Sequence, residues 1–407
     1  MAIISIFSTI FCREEPIVEK LTVSTGSRLV RDSDLIHKAS RISGISEDKI
    51  ARAFSSRTSV FNKFTHERER SIAHLKLALA KILADDNLVI EGFTGQLIPK
   101  DINHVLRLCL IGEMKSRVAI ATGEELMSEN EAVKLIHKMD EDRAAWVNSI
   151  SGVNDPWDPS LYDIVIPTDK VTDIEILELV HKNLENEVLK FRKQTQEAVE
   201  DFILSATVEA ELSKEGHNVG VKAKSGNITL TINKHVLMLT RLEEELRTIT
   251  RKVPGVNGVT TKVGPGFHQA DIYRKYDFEI PSKVLLVDDE REFVQTLSER
   301  LLMRDMGSAV AYDGESALEL IKEDEPEVMI LDLRMPGIDG IEVLKRVKAT
   351  QPDIEVIILT GHGSEADRET CMDLGAFAYL HKPVDIEALS DTIKRANDKI
   401  KQKRQER

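Results

Sequence analysis

At 407 residues the chain is long for one domain, and domains of roughly 100–150 residues make about three the expectation. A formal charge of −14 leaves no broad basic surface to neutralise phosphates, so no nucleic-acid partner is expected. Three separated cysteines, Cys12, Cys109 and Cys371, form no CxxC or Cys/His cluster, which fits a reducing compartment and excludes a cysteine-based metal centre.

The opening "MAIISIFSTIFC" is apolar, but it has no Lys or Arg before its hydrophobic stretch and carries bulky Phe11 before Cys12, so it does not read as a secretory or lipoprotein signal. No run approaches the roughly 20 apolar residues of a membrane helix. A cytoplasmic chain with no stable membrane insertion is the expectation. Residues 1–180 read as an α/β block. "AIISI", "NLVIEGF", "HVLRLCLIG" and "YDIVIPT" are strand candidates, and "THERERSIAHLKLALAKILA" is an amphipathic helix. Ser46 followed by Glu47 and Asp48 marks a helix start. A helical stretch from about Asp173 to Leu189 leads onward.

Residues 190–264 have a different order. A helix containing "AVEDFILSATVEAEL" precedes "NVGVKAKSGNITLTI", two alternating strands around a Ser225-Gly226-Asn227 turn. The helix "HVLMLTRLEEELRTITRKV" and the strand "PGVNGVTTKV" complete an αββαβ module. Residues 265–282 read as a linker. The last block, 283–403, alternates "KVLLV", "SAVAY", "VMILDL", "EVIILT" and "AFAYL" with five helical stretches, which predicts a parallel sheet covered on both faces. Its basic tail, "KRANDKIKQKRQER", reads as the solvated end of a helix.

Within that last block, Asp288 and Asp289 follow the first strand and Asp332 follows the third. In a doubly wound sheet of order 2-1-3-4-5 those strands are neighbours at the switch point, so three carboxylates converge in one cleft. Such a cluster calls for a cation, and oxygen-only ligands suit Mg²⁺. Thr360 ends the fourth strand, and Lys382-Pro383 follows the fifth.

This pattern resembles the receiver domain of two-component response regulators over the whole block. The resemblance implies Asp332 as phosphoryl acceptor, with Asp288, Asp289, Asp332 and the backbone carbonyl of Arg334 holding Mg²⁺. It makes Thr360 and Lys382 the phosphoryl contacts, Thr360 and Tyr379 the switch pair, and Lys382-Pro383 a cis peptide.

The middle module, through "GNITLTI" and "PGVNGV", resembles a BON domain. It departs from that pattern near Ile232 and Asn233, where a glycine is usual. Without a signal peptide it is expected to contact protein rather than lipid.

Residues 1–180, above all "DPSLYDIVIPTDK", resemble the cytidylate-kinase-like family, a P-loop-kinase-like α/β fold. Asp140, Arg143 and Arg117 fall where that resemblance implies phosphate contacts. However, "FSTIFCREEP" follows the first strand where a glycine-rich phosphate loop is required, and Phe11, Arg13 and Glu14 take the glycine positions. A catalytically inactive kinase-like domain is therefore expected.

The whole chain reads as an α/β multidomain response regulator. A sensor histidine kinase or phosphotransfer protein would be its donor, and its output would run through the upstream domains or a partner. The alternative is a nucleoside monophosphate kinase regulated by the receiver.

Overall fold

The computed structural model describes residues 2–85, 87–124, 127–190, 192–236, 238–268, 283–304 and 306–405. The chain forms two compact units: Met1–Thr58 with Glu67–Tyr273, and Ser59–His66 with Arg274–Arg407.

The first unit is built on a parallel sheet of order β2-β3-β1-β4-β5. Its strands are β1 (Ile3–Ser8), β2 (Arg28–Arg31), β3 (Leu88–Glu91), β4 (Val105–Ile111) and β5 (Ile164–Pro167). Strand β1 is rich in apolar residues because it is buried on both faces: Ile3 and Phe7 enter one core, and Ile4 and Ile6 enter the other. The short edge strand β2 has the sequence Arg-Leu-Val-Arg, in which alternation is too brief to announce a strand.

The helix Glu67–Ile82 was expected to keep a polar face, yet almost its whole length is buried. The cause is the 22-residue helix Lys193–Lys214, whose Val199, Phe202, Ala206 and Ala210 join the same core. Lys76 reaches Glu209 across this contact at 2.9 Å.

The same long helix turns Val208 and Leu212 toward a second, smaller sheet. That sheet consists of β6 (Gly220–Lys224), β7 (Asn227–Ile232) and β8 (Gly258–Val263), in that order. β6 pairs antiparallel with β7, and β7 pairs parallel with β8. Ser225 and Gly226, both with positive φ, form the two-residue hairpin turn, and Asn227 already belongs to β7. The αββαβ order is as expected, but its first helix is shared between two cores, so the first two blocks form one unit. The predicted Asp173–Leu189 helix ends at Leu184, and a single 3₁₀ turn, Glu187–Leu189, follows. Of the linker, Pro265–His268 is a 3₁₀ turn, and 269–282 lies outside the described residues.

The second unit holds β9 (Val284–Val287), β10 (Ser308–Ala311), β11 (Val328–Leu331), β12 (Glu355–Thr360) and β13 (Ala378–His381). Their order is β10-β9-β11-β12-β13, all parallel, which is the predicted 2-1-3-4-5 arrangement. Leu285 and Val287 face one helical layer while Val284 and Leu286 face the other. The closing helix, Ile386–Gln405, packs through Leu389, Ile393, Ala396 and Ile400. Its basic end is not simply solvated, because Lys399 and Lys403 each lie 3.0 Å from the buried carboxylate of Glu355. No described helix is long and apolar enough to cross a membrane.

Candidate functional site

The parallel register of β9, β11 and β12 sets the site, because each strand ends at the same edge of the sheet. Asp288 and Asp289 leave β9, and Asp332 leaves β11 beside them. One carboxylate oxygen from each lies within 4.8 Å of the others. Unit charges at that spacing repel by about 3–4 kcal/mol per pair at an effective dielectric of about 20. Asp288 and Asp332 are buried, and Asp289 is exposed.

Lys382, just past β13, offsets part of this charge. Its Nζ lies 2.6 Å from Asp288, 2.9 Å from Glu290 and 4.0 Å from Asp332. It also sits 4.5 Å from the centre of the Phe293 ring. Burial raises the Asp288 carboxyl above its ordinary value; the Lys382 and Glu290 N–H hydrogen bonds oppose this and Asp332 reinforces it. For Lys382, burial pulls downward, but the bonds to Asp288 and Glu290 prevail and hold its pKa above the ordinary value.

Asp332 Oδ1 is buried with no hydrogen-bond partner. A buried carboxylate oxygen without a donor, beside two further carboxylates, is a donor set suited to a hard cation. Thr360 is fully buried at the end of β12, and its Oγ1 accepts the His362 N–H at 3.3 Å. The buried Tyr379 hydroxyl is packed against Gly363, where an added Cβ would fall 1.6 Å from it and 3.0 Å from Thr360 Cγ2. The Lys382-Pro383 peptide is cis. Arg334 lies two residues past Asp332, with its guanidinium 3.8 Å from Asp367.

The expected residues are thus assembled at one sheet edge. Three others were not anticipated: Glu290, which shares Lys382; Phe293, beneath the same ammonium; and Gly363, which leaves room for the Tyr379 hydroxyl. The "DDE" run carried a signal for Glu290. Gly363 carried none, since its neighbour is 16 residues away.

In the first unit, Arg117, Asp140 and Arg143 also meet, around the loop that leaves β1. Arg117 donates to both Asp140 oxygens at 2.8 Å and to the Ile10 carbonyl at 2.9 Å. Arg143 donates to the Ser8 carbonyl at 2.6 Å and the Met139 carbonyl at 3.0 Å. Phe11 and Arg13 adopt φ of 58° and 59°, the left-handed region that favours glycine, so non-glycine residues hold a glycine-like loop. The Glu14 carboxylate accepts the Cys12 N–H at 3.0 Å, at the start of the helix Glu14–Thr25. An internal carboxylate thereby takes a main-chain donor of the kind a phosphate loop offers to phosphate. Burial, with the Glu14 charge adding to it, pushes the Cys12 thiol up to about 12. The guanidinium of Arg13 is committed to the Thr168 and Val171 carbonyls.

Against known families, the response regulator receiver domain matches residues 284–394, and the cytidylate kinase-like family matches residues 3–170. The response regulator MprA of Mycolicibacterium vanbaalenii is 36% identical over 110 residues, covering 27% of this chain and 48% of that protein. MprA of Mycobacterium ulcerans is 36% identical over 107 residues, covering 26% and 46%. A solved response regulator receiver domain protein from Clostridium thermocellum is 33% identical with a TM-score of 0.28, covering 29% of this chain and 95% of that one. The chain spans about half the length of the curated relatives it matches. The class that sheet and cleft define is the receiver domain of two-component response regulators, and the C-terminal block matches it. The first block matches the cytidylate kinase-like family.

Proposed function

We propose that the chain is a response regulator that takes a phosphoryl group onto Asp332 and relays the change through its other domains or a partner protein. A sensor histidine kinase or phosphotransfer protein is the proposed donor. The carrying observation is the buried, unpartnered Asp332 Oδ1 in a three-carboxylate cleft faced by Lys382. Asp288, Asp289, Asp332 and the Arg334 carbonyl would hold Mg²⁺, which supplies charge neutralisation during phosphoryl transfer.

An Asp332 carboxylate oxygen attacks phosphorus, the bond to the donor atom breaks, and that atom leaves with the bonding pair. The acyl phosphate adds about −1.5 to −2 charge, by analogy with other phosphorylations. Lys382, already 4.0 Å from Asp332, turns toward the new anion and loosens from Glu290. The Thr360 hydroxyl shifts to donate to a phosphoryl oxygen, and Tyr379 follows because it packs against the same strand end. This is a population shift of the β12–β13 face. Hydrogen exchange of residues 360–379 should change on treatment with acetyl phosphate in wild type. It should stay flat in Thr360→Ala and Lys382→Ala that still take up phosphate. A change as large as the wild type's in both variants removes these residues from the relay.

The first domain is proposed to be non-catalytic, and the middle module to be a BON-like protein-contact domain. What supports the first reading is that Arg117, Arg143 and Glu14 are spent on the loop itself. A coupled ADP-release assay on the full chain with ATP, Mg²⁺ and CMP should show no turnover. A rate of about 1 s⁻¹ or more, in the ordinary enzyme range, would establish the kinase alternative instead.

A further inference from the structure

The two edges of the first sheet differ. The carboxyl edge, where α/β folds place nucleotides, is filled by the chain's own arginines and Glu14. The amino edge opens into a cavity of about 370 Å³. Its floor and sides are apolar, from Ile4 of β1, Leu184 at the end of the helix Asp173–Leu184, and Leu189. Its polar lining includes Ser24, His181 and Lys190, and no carboxylate lines it among the described residues. Thr25, Ser27 and Asn87 add to the polar side, and the volume is that of a small-molecule site.

We propose that this cavity binds a small amphipathic monocarboxylate, with its apolar body on Ile4, Leu184 and Leu189 and its carboxylate at the rim with Ser24, His181 and Lys190. The wall is built before any ligand arrives. Asn87, in a left-handed conformation, donates to the Gly26 carbonyl at 2.8 Å and accepts from Ser27 Oγ at 3.0 Å, which fixes the turn after the first helix.

The rim groups are held by local contacts, and Ser24 Oγ donates to the Leu21 carbonyl of its own helix at 3.2 Å. His181 Nε2 and Ser24 Oγ lie 3.0 Å apart, and Lys190 pairs with Glu187 on the surface. Exposed pairs of that kind contribute little, so a ligand carboxylate replaces Glu187 at small cost.

Charge selects the ligand further. The helices Glu14–Thr25 and Asp173–Leu184 both bring their carboxyl ends here, where the helix dipole is negative. That field opposes a polyphosphate. It opposes a single carboxylate less, and Lys190 at the rim supplies the charge that offsets it, while an apolar tail fits against Ile4, Leu184 and Leu189. The site is independent of the receiver chemistry.

Octanoate, an eight-carbon carboxylate, is the probe, titrated calorimetrically into the full-length chain with octanol and ATP as comparators. A Kd of about 1 mM or tighter is expected. Octanol should bind at least threefold more weakly, and ATP should not compete. Leu184→Trp fills the cavity and should weaken octanoate binding tenfold or more. Thr25→Met, at a half-buried lining position on the first helix, repeats the test should the tryptophan variant not fold. Lys190→Gln should weaken octanoate and leave octanol unchanged. Absence of octanoate binding, affinity unmoved by both filling substitutions, equal affinity for octanol, or displacement by ATP each overturns the proposal.

Discussion

Asp332→Asn should abolish labelling by acetyl phosphate, lowering it by about 100-fold or more, because the variant has no carboxylate nucleophile to form the acyl phosphate. Intact-mass spectrometry in Mg²⁺ buffer should find one labile phosphate on the wild type and none on the variant. The variant should also be no less stable. Asp332 is one of three carboxylates within 4.8 Å, and its Oδ1 has no hydrogen bond to lose. Replacing it with a neutral amide relieves repulsion of about 3 kcal/mol per pair, before solvent and Lys382 reduce that figure. A loss of labelling with unchanged or raised thermal stability separates chemistry from unfolding. Comparable labelling of the asparagine variant would move the acceptor elsewhere and sink the proposed mechanism.

The receiver block was legible because its central strands β9, β11 and β12 are buried on both faces. Runs such as Val328–Leu331 leave no ambiguity of face, and each places a functional residue directly after its last apolar position. Strand order then brings Asp288, Asp289, Asp332 and Lys382 together without further information. The first unit was less legible for two physical reasons. Strand β2 is four residues long and begins and ends with arginine, so no alternation marks it. The helix Glu67–Ile82 has charged residues at intervals that suggest a solvated face, yet a partner about 120 residues away covers that face. Buried polar groups were likewise invisible. Asp32 accepts hydrogen bonds from the Phe93 and Thr94 N–H groups and from the Thr94 hydroxyl, and its burial raises its pKa. In sequence it looks like an ordinary helix-start aspartate.

The same limitation applied to Glu355, which yields the second large effect. It opens β12 with its side chain fully buried, in a position where a lone carboxylate would be costly. Lys399 and Lys403 approach it at 3.0 Å from the closing helix, and Lys348 lies 4.0 Å away. Burial alone pushes this carboxyl up. The hydrogen bonds from Lys403 and Lys399, with the Lys348 charge, outweigh burial and hold its pKa below the ordinary value. A folded-state pKa below the unfolded one means that the stabilisation is fully present above the unfolded value of about 4.3, and it is lost as pH falls through the folded value. Glu355→Gln should therefore loosen the helix Ile386–Gln405 at pH 7 by about 2 kcal/mol, a figure below that for breaking a fully buried pair because both lysines are half exposed. Hydrogen exchange of that helix should be about tenfold faster or more in the variant at pH 7, with the difference shrinking below about pH 4. A difference that stays constant across this range would mean that Glu355 acts through packing alone. No difference at pH 7 would mean that the lysines do not anchor the helix.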